Sequence, residues 1–315
     1  MVLLDVSVMQ CSLCGDNPVI YMRYNGTHLC RDHFIESLEK RVFKEFRKQT
    51  DIGEGKRIAV AVSGGKDSIV ALRMISKILE NRRDSCVFGV TIDEGICGYR
   101  PESLDIARDE YQQLGVEYRI ISFQEAFGMT LDDMVMKSGI NPCSICGVLR
   151  RWSMNMAARE FGADMLATGL NLDDTAQSIL MNFCRGDMEK MSRLGPHRIV
   201  KKGLIPRIAP LRNIPENEVY LYALLNNVPI HGQECPYAVS AIRGLYRDVI
   251  GEMEDNIPGT KYSILRSYDK IQEPLSEKYG GTAVLDECEK CGEPTMGKQC
   301  KACEFLEGLG LSVRI

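Results

Sequence analysis

Apolar residues alternate along this chain between short runs and helical stripes. Ile58-Ala59-Val60-Ala61-Val62 is a run long enough for a buried strand, and Ile69, Leu72, Ile75 and Ile78 then recur at helical spacing. The pattern predicts a helix from Asp67 to about Glu80, a strand over Val87 to Ile92, and a helix over Glu102 to Leu114. It continues with a strand over Glu117 to Ser122, helices over Gln124 to Met136 and Val148 to Phe161, and a strand over Asp164 to Thr168. Strands that alternate with helices imply right-handed crossovers, so the expected fold is α/β with a doubly wound, mostly parallel sheet. A helix over Phe34 to Gln49 is expected before this region from Ile35, Leu38, Val42 and Phe46. Helices over Glu216 to Asn226, Tyr237 to Ile250 and Thr260 to Ser276 are expected after it, with prolines near their boundaries. The implied division is a small module over 1–36, the α/β domain over 37–212, a helical extension over 213–283 and a closing module over 284–315.

The segment after the first strand carries the clearest chemistry. In Ser63-Gly64-Gly65-Lys66-Asp67-Ser68 two glycines allow a sharp bend that brings amide N–H groups to an anion. The helix that starts there adds its positive end, and Lys66 adds a full charge. It is not a Walker A loop: position 60 is Val60, not glycine, and Asp67 follows Lys66 where Ser or Thr is needed. Asp93 closes the second strand on the edge where such sheets bind ligands, which makes it a candidate nucleotide or metal contact. After the fourth strand comes Gly169-Leu170-Asn171-Leu172-Asp173-Asp174. Gly169 permits close backbone approach, Asp173 is read as the cap of the next helix, and Asp174 as a metal ligand.

Composition narrows the class. The chain has 315 residues, 44% hydrophobic and 26% charged, with no apolar run of bilayer length and no signal-peptide pattern, so a cytoplasmic protein is expected. A net charge of −4 places any nucleic-acid contact on local charge. Arg185, Lys190, Arg193, Arg198, Lys201, Lys202, Arg207 and Arg212 form the better phosphate-contact stretch. Lys40, Arg41, Lys44, Arg47 and Lys48 form a second one, diluted by glutamates.

Thirteen cysteines are many for a cytoplasmic chain, and the odd count argues against a purely disulfide framework. Cys11, Cys14, Cys30 and His33 have the spacing of a closed structural zinc site, as do Cys288, Cys291, Cys300 and Cys303. Cys143 and Cys146 form a third close pair, followed by Arg150 and Arg151, and the one other motif-like cysteine is Cys235 in Glu234-Cys235-Pro236-Tyr237. Cys86 and Cys184 read as small core residues; Cys97, in the loop after Asp93, keeps an open role.

These motifs together resemble a family. Ser63 to Ser68 resembles the PP-loop of the N-type ATP pyrophosphatases, which split ATP between the α- and β-phosphates. The terminal zinc modules, the Pro142-Cys143 to Cys146-Gly147 element and Glu234 to Tyr237 resemble the tRNA 2-thiouridine synthetases within it. The resemblance implies that the C2 oxygen of a tRNA uridine is adenylated and replaced by sulfur, with the wobble uridine the expected target. It implies an ATP pocket of Ala61, Ser63, Gly64, Gly65, Lys66, Asp67, Ser68, Asp93, Arg150, Gly169 and Asp174, with Mg2+ on Asp67 and Asp174. It also implies Lys137 near the reacting phosphate and a [4Fe–4S] cluster on Cys143, Cys146 and Cys235. Three thiolates leave one iron of such a cluster open. Cys143 and Cys235 as a persulfide pair, or the trio as a structural metal site, are the other readings. Expected partners are tRNA, a sulfur donor that is inorganic sulfide or a ubiquitin-like carrier, and a second copy in a homodimer. The competing functions are T-loop uridine thiolation and a zinc-scaffolded RNA-binding protein with a degenerate ATP site. Relatives often have histidine where this chain has Leu170, so no role for that histidine carries over.

Overall fold

A computed structural model describes residues 9–50, 55–196, 203–238, 242–280 and 285–314. Hairpin strands β1 (Ile20–Met22) and β2 (Thr27–Leu29) precede α1 (Arg31–Gln49). Then come β3 (Arg57–Ala61), α2 (Lys66–Leu79), β4 (Cys86–Asp93), α3 (Arg100–Leu114) and β5 (Glu117–Ser122). The short α4 (Phe123–Phe127) and α5 (Leu131–Ser138) lead to α6 (Pro142–Glu160), β6 (Met165–Ala167), α7 (Leu172–Cys184), α8 (Met188–Ser192) and β7 (Arg207–Ile208). The chain continues with α9 (Glu216–Leu225), α10 (Arg243–Asn256) and α11 (Thr260–Tyr279), then β8 (Asp286–Glu287), β9 (Pro294–Thr295) and α12 (Lys301–Gly308).

The central sheet has the order β5-β4-β3-β6-β7, and every pairing in it is parallel. Period-two alternation divides the core. Ile58 and Val60 of β3 face a cluster with Phe34, Leu38, Phe46, Leu72 and Ile75, whereas Ala59 faces Phe127, Leu149, Trp152 and Leu306. Helices therefore cover both faces, α1, α2, α3 and α9 on one and α4, α5, α6 and α12 on the other. All strands end on one edge, where the loops after β3, β4 and β6 converge. A third cluster, built from Leu172, Ile179, Met191, Leu265 and Tyr268, packs α7, α8 and α11 together.

Several boundaries differ from those expected. The helix predicted over 124–136 is two, because Gly128 takes a left-handed φ of 82° and ends α4, and Thr130 then caps α5 through the Asp133 N–H. The helix expected from Val148 begins at Pro142, which suits the first turn because it needs no N–H there, so Cys143 and Cys146 lie on its opening turns. The helix placed over 237–250 runs from Arg243 to Asn256. The cap of α7 is Asn171, which forms a reciprocal capping box with Asp174; Asp173 instead accepts from the Glu216 N–H and pairs with Lys261. α1 runs straight through residue 36. The C-terminal module is docked on α6: Trp152 Nε1 donates to Cys291 Sγ at 3.4 Å, and Asn155 and Arg159 both hold Glu293.

Candidate active site

The loop after β3 is pre-shaped for an anion by its own hydroxyls. The Ser63 N–H and Oγ lie 3.1 and 3.2 Å from Ser68 Oγ, which donates to the Gly65 carbonyl at 2.8 Å. Gly64 has φ +85°, and a Cβ there would sit 2.0 Å from the Ser103 carbonyl oxygen, so only glycine fits. Gly65 is the N-cap residue of α2 and Ala61 is the last residue of β3. Lys66 Nζ lies 3.0 Å from Asp67 Oδ2 and 2.8 Å from Glu216 Oε1. Burial works to lower the pKa of this lysine, but the two carboxylates prevail and it is raised, so the ammonium stays charged.

Acidic groups gather beside it. Asn171 Nδ2 donates to Asp67 Oδ1 at 3.2 Å and its Oδ1 accepts from the Asp174 N–H at 3.0 Å, so one residue ties both aspartates to the loop after β6. Desolvation, with Asp67 and Glu216 adding to it and Arg243 opposing, pushes the Asp174 carboxyl up to about 6. Two carboxylates crowded to this degree fit a divalent cation, whose charge would offset both. Glu216 was not among the sequence-derived candidates; its sole local signal is its place in the first turn of α9.

The loop after β4 sets two neighbouring carboxylates in different surroundings. Asp93 accepts from the Gly95 N–H at 2.9 Å and closes its own turn, while Glu94, 4% exposed, points inward. Glu94 takes Arg100 Nε on one oxygen at 2.8 Å and Arg150 Nε on the other at 3.1 Å. Arg100 also donates to the Ser63 carbonyl at 2.9 Å. A continuous chain, Ser63 to Arg100 to Glu94 to Arg150, thus runs from the anion loop to α6, and Arg150 meets the site through Glu94.

Cys143 and Cys146 face Cys235 at the far end of that chain. Cys143 Sγ lies 4.0 Å from the Tyr237 carbonyl. Desolvation first, then Glu94 and Cys235, push the Cys146 thiol up to about 12, and the Cys235 thiol is raised by burial and by Cys143. The three sulfurs are not drawn within 4.8 Å of one another, unlike the two terminal groups. Three thiolate donors are one short of the closed set of a structural zinc and suit a centre that keeps one position open. Tyr237 Oη and the Cys97 N–H both bond Asp132, at 2.7 and 2.9 Å, so the backbone of Cys97 is held against the first turn of α5, which also seats Tyr237. Lys137 is engaged elsewhere: its Nζ donates to the Leu309 carbonyl of the C-terminal module at 2.7 Å.

The terminal groups have zinc-like dimensions. Cys14 Sγ lies 3.7 Å from Cys30 Sγ, His33 Nδ1 lies 3.5 Å from Cys11 Sγ and 3.2 Å from Cys30 Sγ, and Cys291 and Cys300 are 3.5 Å apart. Each group can bind one metal ion. In the basic stretch Lys190 pairs with Asp187, Arg193 with Glu189 and Arg212 with Asp269, whereas Arg198, Lys201 and Lys202 lie outside the described residues. In the other stretch Lys40 pairs with Glu36 and Arg41 with Glu218.

Comparison with known proteins decides the family. Residues 36–231 match the PP-loop domain, residues 10–35 match the N-terminal LIM domain of 2-thiouridine synthetase TtuA, and the chain is 36% identical to tRNA 2-thiolation protein NcsA of Haloferax volcanii over 96% of its own length and 99% of the relative's. The chain belongs to the PP-loop family of tRNA 2-thiolation proteins. Another member, tRNA-5-methyluridine(54) 2-sulfurtransferase of Thermus thermophilus, is 33% identical over 96% of this chain and 92% of that one. The solved U34-tRNA thiolase NcsA of Methanococcus maripaludis, which carries a [4Fe–4S] cluster, superposes with a TM-score of 0.83 at 33% identity, covering 96% of each chain. This family member has the PP-loop α/β fold with its parallel sheet. None of its described helices is long and apolar enough to cross a membrane.

Proposed function

We propose that this chain is an ATP-dependent tRNA-uridine 2-sulfurtransferase acting on the wobble uridine. The observation that carries the reading is the linkage of the anion loop to the three-cysteine centre through Arg100, Glu94 and Arg150. Activation of an oxygen and its replacement by sulfur must occur at one carbon, so the two half-sites have to be held in fixed register. The likeness to the U34 thiolase favours the wobble position.

In this reading the amides of Gly64 and Gly65, the Ser63 and Ser68 hydroxyls and Lys66 hold the ATP phosphates. Asp67 and Asp174 would hold Mg2+, which neutralises phosphate charge. Ala61 and the Gly169 backbone line the nucleotide, with Arg150 anchored behind them by Glu94. The uridine is unstacked into the cleft, as base-modifying enzymes require. Its C2 oxygen attacks the α-phosphorus, and the bond to the β-phosphate breaks with release of pyrophosphate. Hydrosulfide from an external donor then adds at C2, the C2–O bond breaks, AMP departs, and the hydrosulfide proton replaces the one that N3 lost on adenylation. Cys143, Cys146 and Cys235 would hold a [4Fe–4S] cluster, which supplies an iron with an open coordination position for sulfide. Lys137 reaches developing charge on phosphate only by exchanging its Leu309 carbonyl. One zinc on each terminal group, a cytoplasmic location, a homodimer, and hydrosulfide or a ubiquitin-like carrier as donor complete the proposal.

The test is anaerobic purification with iron and sulfide analysis, followed by thiolation of undermodified tRNA and measurement of pyrophosphate release. Wild type should contain iron and thiolate; Cys235→Ala should lose iron and thiolation while still releasing pyrophosphate. Thiolation by an iron-free wild type would sink the cluster assignment. Absence of tRNA-dependent pyrophosphate release would leave an RNA-binding scaffold instead.

A further inference from the structure

Positive charge is in surplus at one junction that the mechanism above does not use. Where α6, β7 and the C-terminal module meet, Glu293 lies near Arg159 and Arg207 and is already committed to the first. Its Oε1 accepts from Asn155 Nδ2 at 2.6 Å and its Oε2 pairs with Arg159 at 2.5 Å. Arg159 makes a further bond, to the Gly203 carbonyl at 3.0 Å. Arg151 and Arg207 are left over. Among the described residues neither forms an ion pair or hydrogen bond, although both approach Glu293 or Cys146 closely enough to feel their charge.

The positions of these two side chains are specific. Arg207 pairs in register with Leu166, whose side chain belongs to the cluster on the α6 face, so Arg207 points to the same face. Arg151 folds back along α6: a Cβ on Gly147 would lie 3.4 Å from its Nη1, beside Cys146. Arg207 also walls a cavity of about 190 Å3 together with Thr168, Leu170, Asp174, Arg193 and Arg212. The guanidinium groups therefore stand between the cysteine centre and the loop that carries Gly169 and Asp174. Burial, and for Arg207 the nearby Arg151, lower the pKa values of both, which is the cost of holding two like charges without a counter-ion.

We propose that Arg151 and Arg207 form a phosphodiester-binding subsite that seats the RNA backbone immediately beside the target uridine. The proposal rests on the thiolase reading: a uridine whose C2 meets both the adenylating and the sulfur-delivering half-sites has its own flanking phosphates within one nucleotide of them. Guanidinium forks match a phosphodiester bidentately. With a net charge of −4, and with Lys190, Arg193 and Arg212 of the stretch already paired, uncommitted cations of this kind are well suited to supply affinity for RNA.

The experiment is a salt series of fluorescence anisotropy on the full-length, metal-loaded protein. The probe is a labelled anticodon stem-loop with either normal phosphates or one neutral methylphosphonate 5′ or 3′ of the target uridine. Arg207→Gln and Arg151→Gln should each weaken binding roughly tenfold and make the slope of log affinity against log salt shallower by about one unit. Arg207→Lys should restore the slope but not the full affinity. One of the two methylphosphonates should weaken wild-type binding by a similar factor and add nothing in Arg207→Gln. Arg108→Gln, which removes an exposed charge on α3, should leave the slope within error.

Additive losses for Arg207→Gln combined with either methylphosphonate would overturn the subsite. So would unchanged affinity and slope in both arginine variants with sulfur transfer lost, which would assign the pair to an anionic sulfur donor. If wild type fails to bind the stem-loop at all, the sulfurtransferase reading fails with it; if wild type binds and only the arginine variants behave as wild type, the subsite alone fails.

Discussion

Gly169 and Asp67 touch backbone to backbone: a Cβ on Gly169 would stand 2.7 Å from the Asp67 carbonyl carbon and equally close to the Ser68 nitrogen. The obstacle is the first turn of α2, which cannot swing aside as a flexible side chain would. Gly169→Ala should therefore displace the phosphate loop itself. We expect a loss of roughly 1–3 kcal/mol in urea unfolding, together with loss of the stabilisation that ATP and Mg2+ give the wild type. An alanine variant that ATP–Mg2+ stabilises as well as wild type would show that the contact is slack.

Adjacent carboxylates predict opposite outcomes. Asp93 serves its own turn through the Gly95 N–H, so Asp93→Asn keeps an acceptor and should cost less than about 1 kcal/mol. Glu94 is buried between Arg100 and Arg150, so Glu94→Gln leaves two guanidinium groups short of their counter-charge. The Arg100 side of this pair is as buried as Glu94, whereas Arg150 is 41% exposed and contributes less. A loss of about 3 kcal/mol is expected, mostly from Arg100, with an accompanying fall in tRNA thiolation. Chemical denaturation of the two variants side by side tests the contrast; equal losses would contradict it.

Asp93 and Glu94 differ in their partners, and one of those of Glu94 lies far along the chain. The strand over 117–122 and the anion loop were visible because they depend on neighbours in sequence: apolar alternation, a Gly-Gly bend, a helix start. The two four-ligand metal groups were visible because each is drawn from a short stretch of chain. Glu94 went unread because its inward turn is set by Arg100 and by Arg150 on α6, not by its neighbours in sequence. Lys137 is held by Leu309, Lys66 by Glu216, and Asp173 by Lys261, all far along the chain, and no local pattern encodes such partners. The split of the helix at Gly128 was open to local reading, since a left-handed glycine followed by a Thr130 cap is a stop and restart.

The single tryptophan reports on one metal group. Trp152 Nε1 donates to Cys291 Sγ at 3.4 Å, whereas the N-terminal group is built from Cys11 and Cys14 ahead of β1 and from Cys30 and His33 at the start of α1. Two zinc ions per chain are expected. Cys300→Ser should remove one and shift the Trp152 emission; Cys30→Ser should remove one and leave the emission unchanged. Metal analysis and fluorescence on the same samples check this, and an emission shift in Cys30→Ser would break the assignment.

Lys66 is held in reserve by two carboxylates that an incoming phosphate must displace. Its Nζ lies 2.8 Å from Glu216 and 3.0 Å from Asp67, and its side chain is 16% exposed. Lys66→Met removes the charge while keeping the bulk, so pyrophosphate release should fall by a factor on the order of 100 or more with the fold intact. Glu216→Gln keeps a hydrogen-bond acceptor but withdraws one competitor for the ammonium, so ATP should bind roughly two- to fivefold tighter. The same change removes part of what raises the Lys66 pKa against burial, so Glu216→Gln should move the alkaline loss of ATP binding to lower pH. Isothermal titration of ATP–Mg2+ across neutral and alkaline pH measures both effects. Weaker binding in Glu216→Gln would mean that Glu216 positions the lysine for phosphate instead of competing with it.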